Sequence, residues 1–204
     1  MRNTLAAAAV ALAAIATGSA PALAANIVAN GNFATETNSG NPPDSWGSSG
    51  NAGADTTLPA AGDSWDGFLG DPSGSLYQLL TTPGVTYVLS FNAAADQAAL
   101  SDQNAGFFVC FDPTATSCTS GSDLFNDAIA ADLSTPGQYQ SFSDTITATG
   151  SSMYLSFTGE NTKGGNFYVD DVSVTAAVST PEPSDLLILA TPLGLLTLAR
   201  IRRA

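Results

Sequence analysis

The chain contains no histidine and few cationic side chains. Of its 204 residues, 5 are lysine or arginine and 18 are aspartate or glutamate, which gives a formal net charge of -13. The absence of histidine excludes mechanisms that use an imidazole as general base, and it removes the commonest zinc ligand. The acidic excess disfavours binding to nucleic acid or to anionic lipid surfaces, so neither is expected as a partner.

The cations lie almost entirely at the two ends of the chain. Arg2 precedes the first apolar stretch, and three arginines close the sequence at positions 200, 202 and 203. Between these ends the sequence has one cation, Lys163, against 16 acids from Glu36 to Asp171, a balance near -15. A divalent cation is therefore a more suitable partner for this part of the chain than a polyanion.

Long apolar runs are also missing, except near the termini. A short positive region precedes an alanine-rich run at residues 5–16, and Ala22-Leu23-Ala24 fits an A-x-A cleavage site. This order predicts a signal peptide over residues 1–24, formed as a helix and cut after Ala24 or one residue later. A retained membrane helix is the alternative interpretation.

A second apolar segment, residues 186–199, lies near the other end. As a helix it measures about 21 Å at ~1.5 Å per residue, whereas a bilayer core is about 30 Å thick. The segment is therefore predicted to form a transmembrane helix that barely spans the bilayer, and Pro192 weakens this helix further. Such a helix suits a temporary tether. The flanking arginines favour the cytoplasmic side, so the acidic part of the chain is expected across the membrane.

Pro181-Glu182-Pro183, the apolar segment and the terminal arginines occur in the order of a known signal. Residues 181–204, after a linker at 177–180, resemble the PEP-CTERM sorting signal of bacterial surface proteins, although Asp185 and Pro192 depart from the usual pattern. The resemblance implies processing by an exosortase, a membrane-embedded cysteine transpeptidase-like enzyme, in a Gram-negative host that makes extracellular polysaccharide. It also implies tethering to the inner membrane, then a cell-surface or extracellular location. An ordinary C-terminal membrane anchor is the alternative.

Residues 25–176 predict a single all-β domain. Apolar runs predict strands at residues 76–80, 85–92, 107–111, 138–148, 152–158 and 167–175. Turn signals such as Asp71-Pro72-Ser73-Gly74 separate them, and the stretch 34–66, rich in glycine, serine and asparagine, is predicted to be mostly loop with room for one short strand. Short strands without a long helix indicate an antiparallel β-sandwich.

The chain has two cysteines, Cys110 and Cys118, and both lie in this domain. An exported domain folds in an oxidising compartment, so the two are predicted to form a disulfide across a short loop. Two free thiols with a redox role are the alternative. No lysine, histidine or arginine lies near them in the sequence to lower a thiol pKa.

Several short motifs follow one another along the chain in an order that is known from a protein family. They are Asn30-Gly31-Asn32-Phe33, Pro43-Asp44-Ser45-Trp46, Leu76-Tyr77-Gln78 and the closing run at residues 167–174. Together they resemble the galactose-binding-like jelly roll of carbohydrate-binding modules. The resemblance covers nearly the whole domain and implies a jelly-roll β-sandwich that tends to bind sugars.

Sugar rings stack on exposed aromatic side chains, which makes Trp65, Tyr77 and Tyr139 the candidate ligand-binding residues. Trp46 is also aromatic, but in its Pro-x-x-Trp context it is more often part of a core. Asp63, Asp66 and Asp71 surround Trp65 in sequence and are either a solvated or an ion-binding loop.

The closing strand suggests a cation site. Val172 and Val174 are expected to face inward, and strand parity places Asp170 on their side, where a carboxylate is costly unless it is paired or metal-bound. The resemblance implies a structural Ca²⁺ between the N-terminal strand and this last strand. Its predicted ligands are Asn32, Glu36, Asp170 and Asp171, with Glu36 substituting for the acid that the family has where this chain has Ala34. Capping of N-terminal backbone N–H groups by Asp170 is the alternative.

These features predict an exported surface or matrix protein whose domain binds or associates with extracellular polysaccharide. The alternative is a structural or adhesion protein of the matrix with no sugar site. A hydrolase is disfavoured and no enzyme is predicted. Glycoside hydrolysis needs two placed carboxylates, and acids are so numerous here that no pair stands out.

Overall fold

The computed structural model describes residues 24–36, 38–58, 64–82, 85–125 and 129–177. The predicted signal peptide up to residue 23, the Pro181-Glu182-Pro183 motif and the predicted transmembrane helix at 186–199 lie outside the described residues. Within the ranges given, no helix is long and apolar enough to cross a membrane.

The described residues form an all-β domain, as predicted. Its strands are β1 (Gly47–Asp55), β2 (Asp66–Thr81), β3 (Thr86–Ala95), β4 (Gly106–Asp112), β5 (Gln140–Thr147), β6 (Ser152–Glu160) and β7 (Asn166–Ala176). A short helix, α1 (Gln97–Leu100), follows β3, and a 3₁₀ turn at Ile129–Ala131 precedes β5.

All strand pairs are antiparallel, and the strands follow the order β4-β6-β2-β7-β3-β5, with β1 paired to β2. The long strand β2 belongs to two layers. Its first part, 67–70, pairs with β7, and its second part, 73–81, pairs with β6. One layer therefore contains β4 and β6, and the other contains β7, β3 and β5. This is the arrangement of a β-sandwich joined along β2.

The core lies between the two layers. The ring of Phe91 in β3 has its centroid 6.3 Å from that of Phe107 in β4 and 5.1 Å from that of Phe157 in β6. Trp46 is 6% exposed and its ring lies 5.5 Å from Phe33, so it belongs to the core. Each buried aromatic of this kind contributes about 1.5–3 kcal/mol by leaving water.

One sequence prediction about these strands is wrong, because the predicted turn at Asp71-Pro72-Ser73-Gly74 lies inside β2. The stretch 34–66, predicted to be mostly loop with room for one short strand, contains the 9 residues of β1. Glycine gives both strands a close approach: a Cβ on Gly74 would lie 2.1 Å from the backbone oxygen of Asn51. The composition of these segments indicated loops because glycine has no preference for strands. Pairing with the neighbouring strand nevertheless makes them strands here.

The predicted disulfide is confirmed. Cys110 in β4 is bonded to Cys118 with a Cα–Cα distance of 5.7 Å, and both residues are 2% exposed. The backbone N–H of Cys118 donates to Thr158 Oγ1 at 2.8 Å, and the Ser156 hydroxyl donates to the Ala115 carbonyl at 3.1 Å. These bonds hold the segment after β4 against the outer side of β6.

Candidate functional site

The outer face of the β4–β6 layer carries a group of side chains that we call the tyrosine face, formed by Tyr77, Leu79 and Tyr154. In the register, Leu79 lies opposite Tyr154 and Tyr77 lies opposite Ser156. The alternate positions of β2 and β6 point into the core, which leaves these residues on the outside.

The two tyrosine rings of this face lie close together. Their centroids are 6.0 Å apart and their planes meet at 77°, an edge-to-face contact. Both rings are half-buried, and Leu79 beside them is 56% exposed, the most exposed large apolar side chain among the described residues. These residues form an aromatic surface on the outside of the sheet, which is not part of the hydrophobic core.

Gly47 fixes where the ring of Tyr77 lies. It is the register partner of Tyr77 in β1, and a Cβ at Gly47 would fall 2.4 Å from the ring. The ring therefore occupies the space that any other residue at this position would fill. A glycine in the predicted loop thus has a specific role in shaping the tyrosine face.

The other two aromatic candidates are placed differently. Trp65 is partly buried and packs against the core. Tyr139 is half-buried, and its hydroxyl donates to Asp66 Oδ2 at 3.3 Å. Of the three candidates, Tyr77 is the one that lies on an outer sheet face beside a second aromatic ring. Its partner Tyr154 was not predicted, although the inward Met153, Leu155 and Phe157 already imply by parity that Tyr154 points outward.

A second surface lies on the outer face of β3, β5 and β7. We call it the polar groove; its volume is about 310 Å³. It is lined by Ser90, Phe91, Asn92, Ser141, Phe142, Ser143 and Asp171. The register explains why the polar side chains meet, because Asn92 lies opposite Ser141 and Ser90 lies opposite Ser143. Sequence reasoning included Asp171 only as a metal ligand and missed the rest of the groove.

Hydrogen bonds connect the polar groove from β5 to β7. The Ser141 hydroxyl donates to Asn92 Oδ1 at 2.7 Å, and Asn92 Nδ2 donates to Asp171 Oδ2 at 2.8 Å. Asp171 has a φ of 52°, in the left-handed region, where the register between β3 and β7 shifts. It is therefore the extra residue of a β-bulge, a feature that redirects a side chain.

The bulge overturns the parity argument for Asp170. In the register, Asp170 lies opposite Asn92, whereas Val174 lies opposite Leu89. Because Asn92 faces the polar groove and Leu89 faces the core, Asp170 is on the opposite side of β7 from Val172 and Val174. The prediction that it shares their side is wrong, since one extra residue reverses the alternation. Asp170 is nevertheless fully buried.

The four predicted calcium ligands do not come together as a set. Asn32 and Asp171 line one groove of about 280 Å³ next to the polar groove. Glu36 Oε1 instead accepts from Asn30 Nδ2 at 2.8 Å and from the Asp44 N–H at 2.6 Å. Asp170 Oδ1 accepts from the Asp171 N–H at 2.7 Å. Within the described ranges, no group of three acids, histidines or cysteines is placed to hold a metal ion. Calcium binding stays a prediction.

Asp66 is a buried acid behind this region. It is fully inaccessible, its Oδ2 accepts from the Leu58 N–H at 3.1 Å and from Tyr139, and its Oδ1 has no hydrogen-bond partner in the part of the chain described. Loss of water on burial, followed by the neighbouring Asp55 carboxylate, raises the pKa of Asp66 to about 7. Burial also raises the pKa of the Tyr139 hydroxyl.

Comparison with known proteins supports the fold and little more. No family model and no curated protein matches the sequence. Among solved structures, the chain is similar to the N-terminal CBM22-1–CBM22-2 tandem domain of Xyn10C from Paenibacillus barcinonensis, with a TM-score of 0.50 and 11% identity. The match covers 81% of this chain and 49% of that one, so the chain spans about half the length of the tandem.

Two other solved structures show weaker similarity. TmCBM61 in complex with β-1,4-galactotriose gives a TM-score of 0.45 at 12% identity, over 75% of this chain and 99% of that one. The K3 cleaved adhesin domain of Lys-gingipain from Porphyromonas gingivalis gives 0.46 at 16% identity, over 76% of this chain and 99% of that one. At such identities the similarity concerns the fold alone.

Proposed function

We propose that this chain is an exported surface or matrix protein whose β-sandwich binds extracellular polysaccharide through the tyrosine face. The observation that carries the proposal is the pair of Tyr77 and Tyr154 rings beside the exposed Leu79 on an outer sheet face. Rings with one apolar body and a hydroxyl tip suit a ligand that has apolar faces and polar edges, as a pyranose does. The role is one of binding, with no catalytic step.

Charge narrows the class of polysaccharide. The part of the chain between the two cationic ends has one lysine against 16 acids. Such a surface repels polymers that are rich in uronate or sulfate, and it tolerates neutral or cationic ones. We therefore expect binding to neutral or amino-sugar polysaccharides, and weak binding to uronate polymers at low salt, where the repulsion is least screened.

The export part of the proposal rests on the two ends of the sequence. The predicted signal peptide would direct the chain through the inner membrane, and the segment at 181–204 would hold it there until an exosortase processes it. The resulting location is the cell surface or the extracellular matrix of a Gram-negative bacterium.

Retention on immobilised polysaccharides tests the binding role. The full chain is applied to a panel of neutral, amino-sugar and uronate polysaccharides, together with the variants Tyr77→Ala, Tyr154→Ala and Tyr77→Phe. We expect Tyr77→Ala to weaken binding at least tenfold, about 1.4 kcal/mol, because it removes the ring. Tyr77→Phe keeps the ring and is expected to bind within a factor of about three, under 1 kcal/mol.

Two results would contradict this role. One is a panel on which the folded protein is retained by no polysaccharide. The other is retention on a neutral polysaccharide that neither alanine variant reduces. The exposed Leu79 then favours the alternative, a structural or adhesion protein that uses the tyrosine face for contact with another protein.

A further inference from the structure

Two side-chain hydrogen bonds of the polar groove run in the same direction, toward Asp171. Ser141 donates to Asn92, and Asn92 donates to Asp171 Oδ2. Within the described residues, Asn92 is the one side chain that donates to the Asp171 carboxylate, and Asp171 Oδ1 accepts no hydrogen bond. Asp171 is exposed, so this oxygen faces solvent, and because an ionised carboxylate accepts only, the groove ends in an acceptor that the donor of a ligand can reach.

The backbone holds this acceptor in place. Asp171 is the bulge residue of β7 with a φ of 52°, a conformation that aspartate and asparagine adopt more readily than most residues. Its side chain is fixed by the 2.8 Å bond from Asn92 on the neighbouring strand. The carboxylate therefore stands at a defined position between the polar groove and the adjoining groove that contains Asn32.

No cation of the described residues neutralises it. Lys163, the one cation in this part of the chain, donates to the Ser101 carbonyl at 2.7 Å. Asp170, its neighbour in the sequence, is a further acid beside it. A ligand that brings a positively charged donor would satisfy both the open acceptor and the local charge.

We propose that the polar groove is a second binding site, which takes the protonated amine of an amino-sugar unit on Asp171. Ser90 lines the groove beside Ser143, whose hydroxyl donates to the Leu89 carbonyl at 3.1 Å and can still accept from a sugar hydroxyl. At about 310 Å³ the groove is at the lower end of the size range of ligand pockets, about 300–1,000 Å³. The assignment of a sugar as the carrier of the amine rests on the proposed function, but the site lies on the other layer of the sandwich.

Two tetrasaccharides that differ only in acetylation provide the test. The first is the fully deacetylated glucosamine tetramer, whose amines are protonated at mildly acidic pH, and the second is its fully N-acetylated counterpart. Calorimetric titration of the full chain at low salt is expected to show at least tenfold tighter binding of the deacetylated tetramer. Raised salt should reduce this preference, because it screens the charge pair.

The variant Asp171→Asn is expected to bind both tetramers equally, because asparagine keeps the size and the left-handed backbone but loses the charge. Glu160→Gln is the matched control. It removes the same charge from an exposed acid at the end of β6, in the other layer, and should retain the preference. Equal binding of the two tetramers by the unmodified chain overturns the site, and so does an equal loss of preference in both variants.

If Asp171→Asn does not fold, the site can still be tested on the unmodified chain by measuring changes in its amide NMR chemical shifts. Addition of the deacetylated tetramer should shift the signals of Ser90, Asn92, Ser141 and Asp171, and shifts confined to other residues overturn the proposal. The tyrosine face is tested separately by retention on polysaccharides. Failure of that test leaves the amine preference unaffected, so the two proposals can fail independently.

Discussion

At the residue scale, the most unusual side chain is the buried carboxyl of Asp66. It lies opposite Asp55 in the register of β1 and β2, and it is fully buried. Its pKa is raised from the ordinary 3.8 to about 7, so folding favours the neutral acid. The contribution to stability is complete below about pH 4 and is lost as the pH rises through about 7.

Replacement of Asp66 by asparagine should therefore remove a pH dependence. The unmodified protein is expected to melt at a lower temperature at pH 8 than at pH 5, whereas Asp66→Asn should show little difference over this range. At pH 8 the variant should be more stable by at most about 4 kcal/mol, since each unit of pKa shift corresponds to about 1.36 kcal/mol. Denaturant unfolding at both pH values measures this.

Asp132→Asn is the control for this prediction, because Asp132 is exposed. It should follow the unmodified protein at each pH. Asp102 is an acid whose pKa is shifted in the opposite direction, because the backbone N–H groups of Asn104 and Thr162 donate to its carboxylate and lower the pKa. The stability that Asp102 contributes is therefore lost at acidic pH, as the pH falls below about 4. A parallel pH dependence for Asp66→Asn and the unmodified chain would show that Asp66 is ionised throughout.

At the scale of elements, the sequence predicts those strands whose side chains alternate or form a buried run. β3, β4, β5, β6 and β7 all overlap the predicted strands. The position of β1 within the stretch 34–66 could not be predicted, because its sequence, GSSGNAGAD, has neither an alternating pattern nor strand-favouring side chains. It is a strand because β2 offers it a pairing edge along both layers.

The same distinction separates the site residues that sequence can predict from those it cannot. Tyr77 lies on a predicted strand, so its outward direction follows from the neighbouring Leu76. The groove around Asp171 depends on a bulge, and the bulge is set by the register between β3 and β7, which local sequence does not specify. The burial of Trp65 and the hydrogen bond of Tyr139 likewise depend on contacts distant in sequence.

The disulfide is the element whose contribution can be measured most directly. Cys110 and Cys118 are eight residues apart, and closing a loop of this size stabilises the fold by about 2–3 kcal/mol. The double variant Cys110→Ala/Cys118→Ala should therefore lower the free energy of unfolding by about this amount in urea. The unmodified protein under reducing conditions should show the same loss. An unchanged unfolding midpoint in both cases would mean that the hydrogen bonds to Thr158 and Ser156 suffice to hold the segment.

At the scale of the whole molecule, the distribution of charge matters more than its sum. The net charge of -13 is the sum of a strongly acidic central part and the cations at both ends of the chain. Under the export proposal, the cationic segments next to the apolar ones stay in the cytoplasm and the acidic domain lies outside. The disulfide agrees with such a compartment, because disulfides persist where thiols are oxidised.

The sorting proposal can be tested with two acids of the tail. Glu182 lies between the two prolines of the motif and Asp185 lies three residues later, so Glu182→Ala and Asp185→Ala remove the same charge from the same segment. If the motif is recognised by an exosortase, Glu182→Ala should accumulate with its tail intact in the inner membrane. Asp185→Ala should be processed like the unmodified chain. Mass spectrometry of the C-terminal peptides from each cell fraction distinguishes the two forms. Normal processing of Glu182→Ala would contradict recognition of the motif. A tail that stays intact in the unmodified chain as well would instead favour an ordinary membrane anchor, because an anchor is retained through its apolar segment and its arginines.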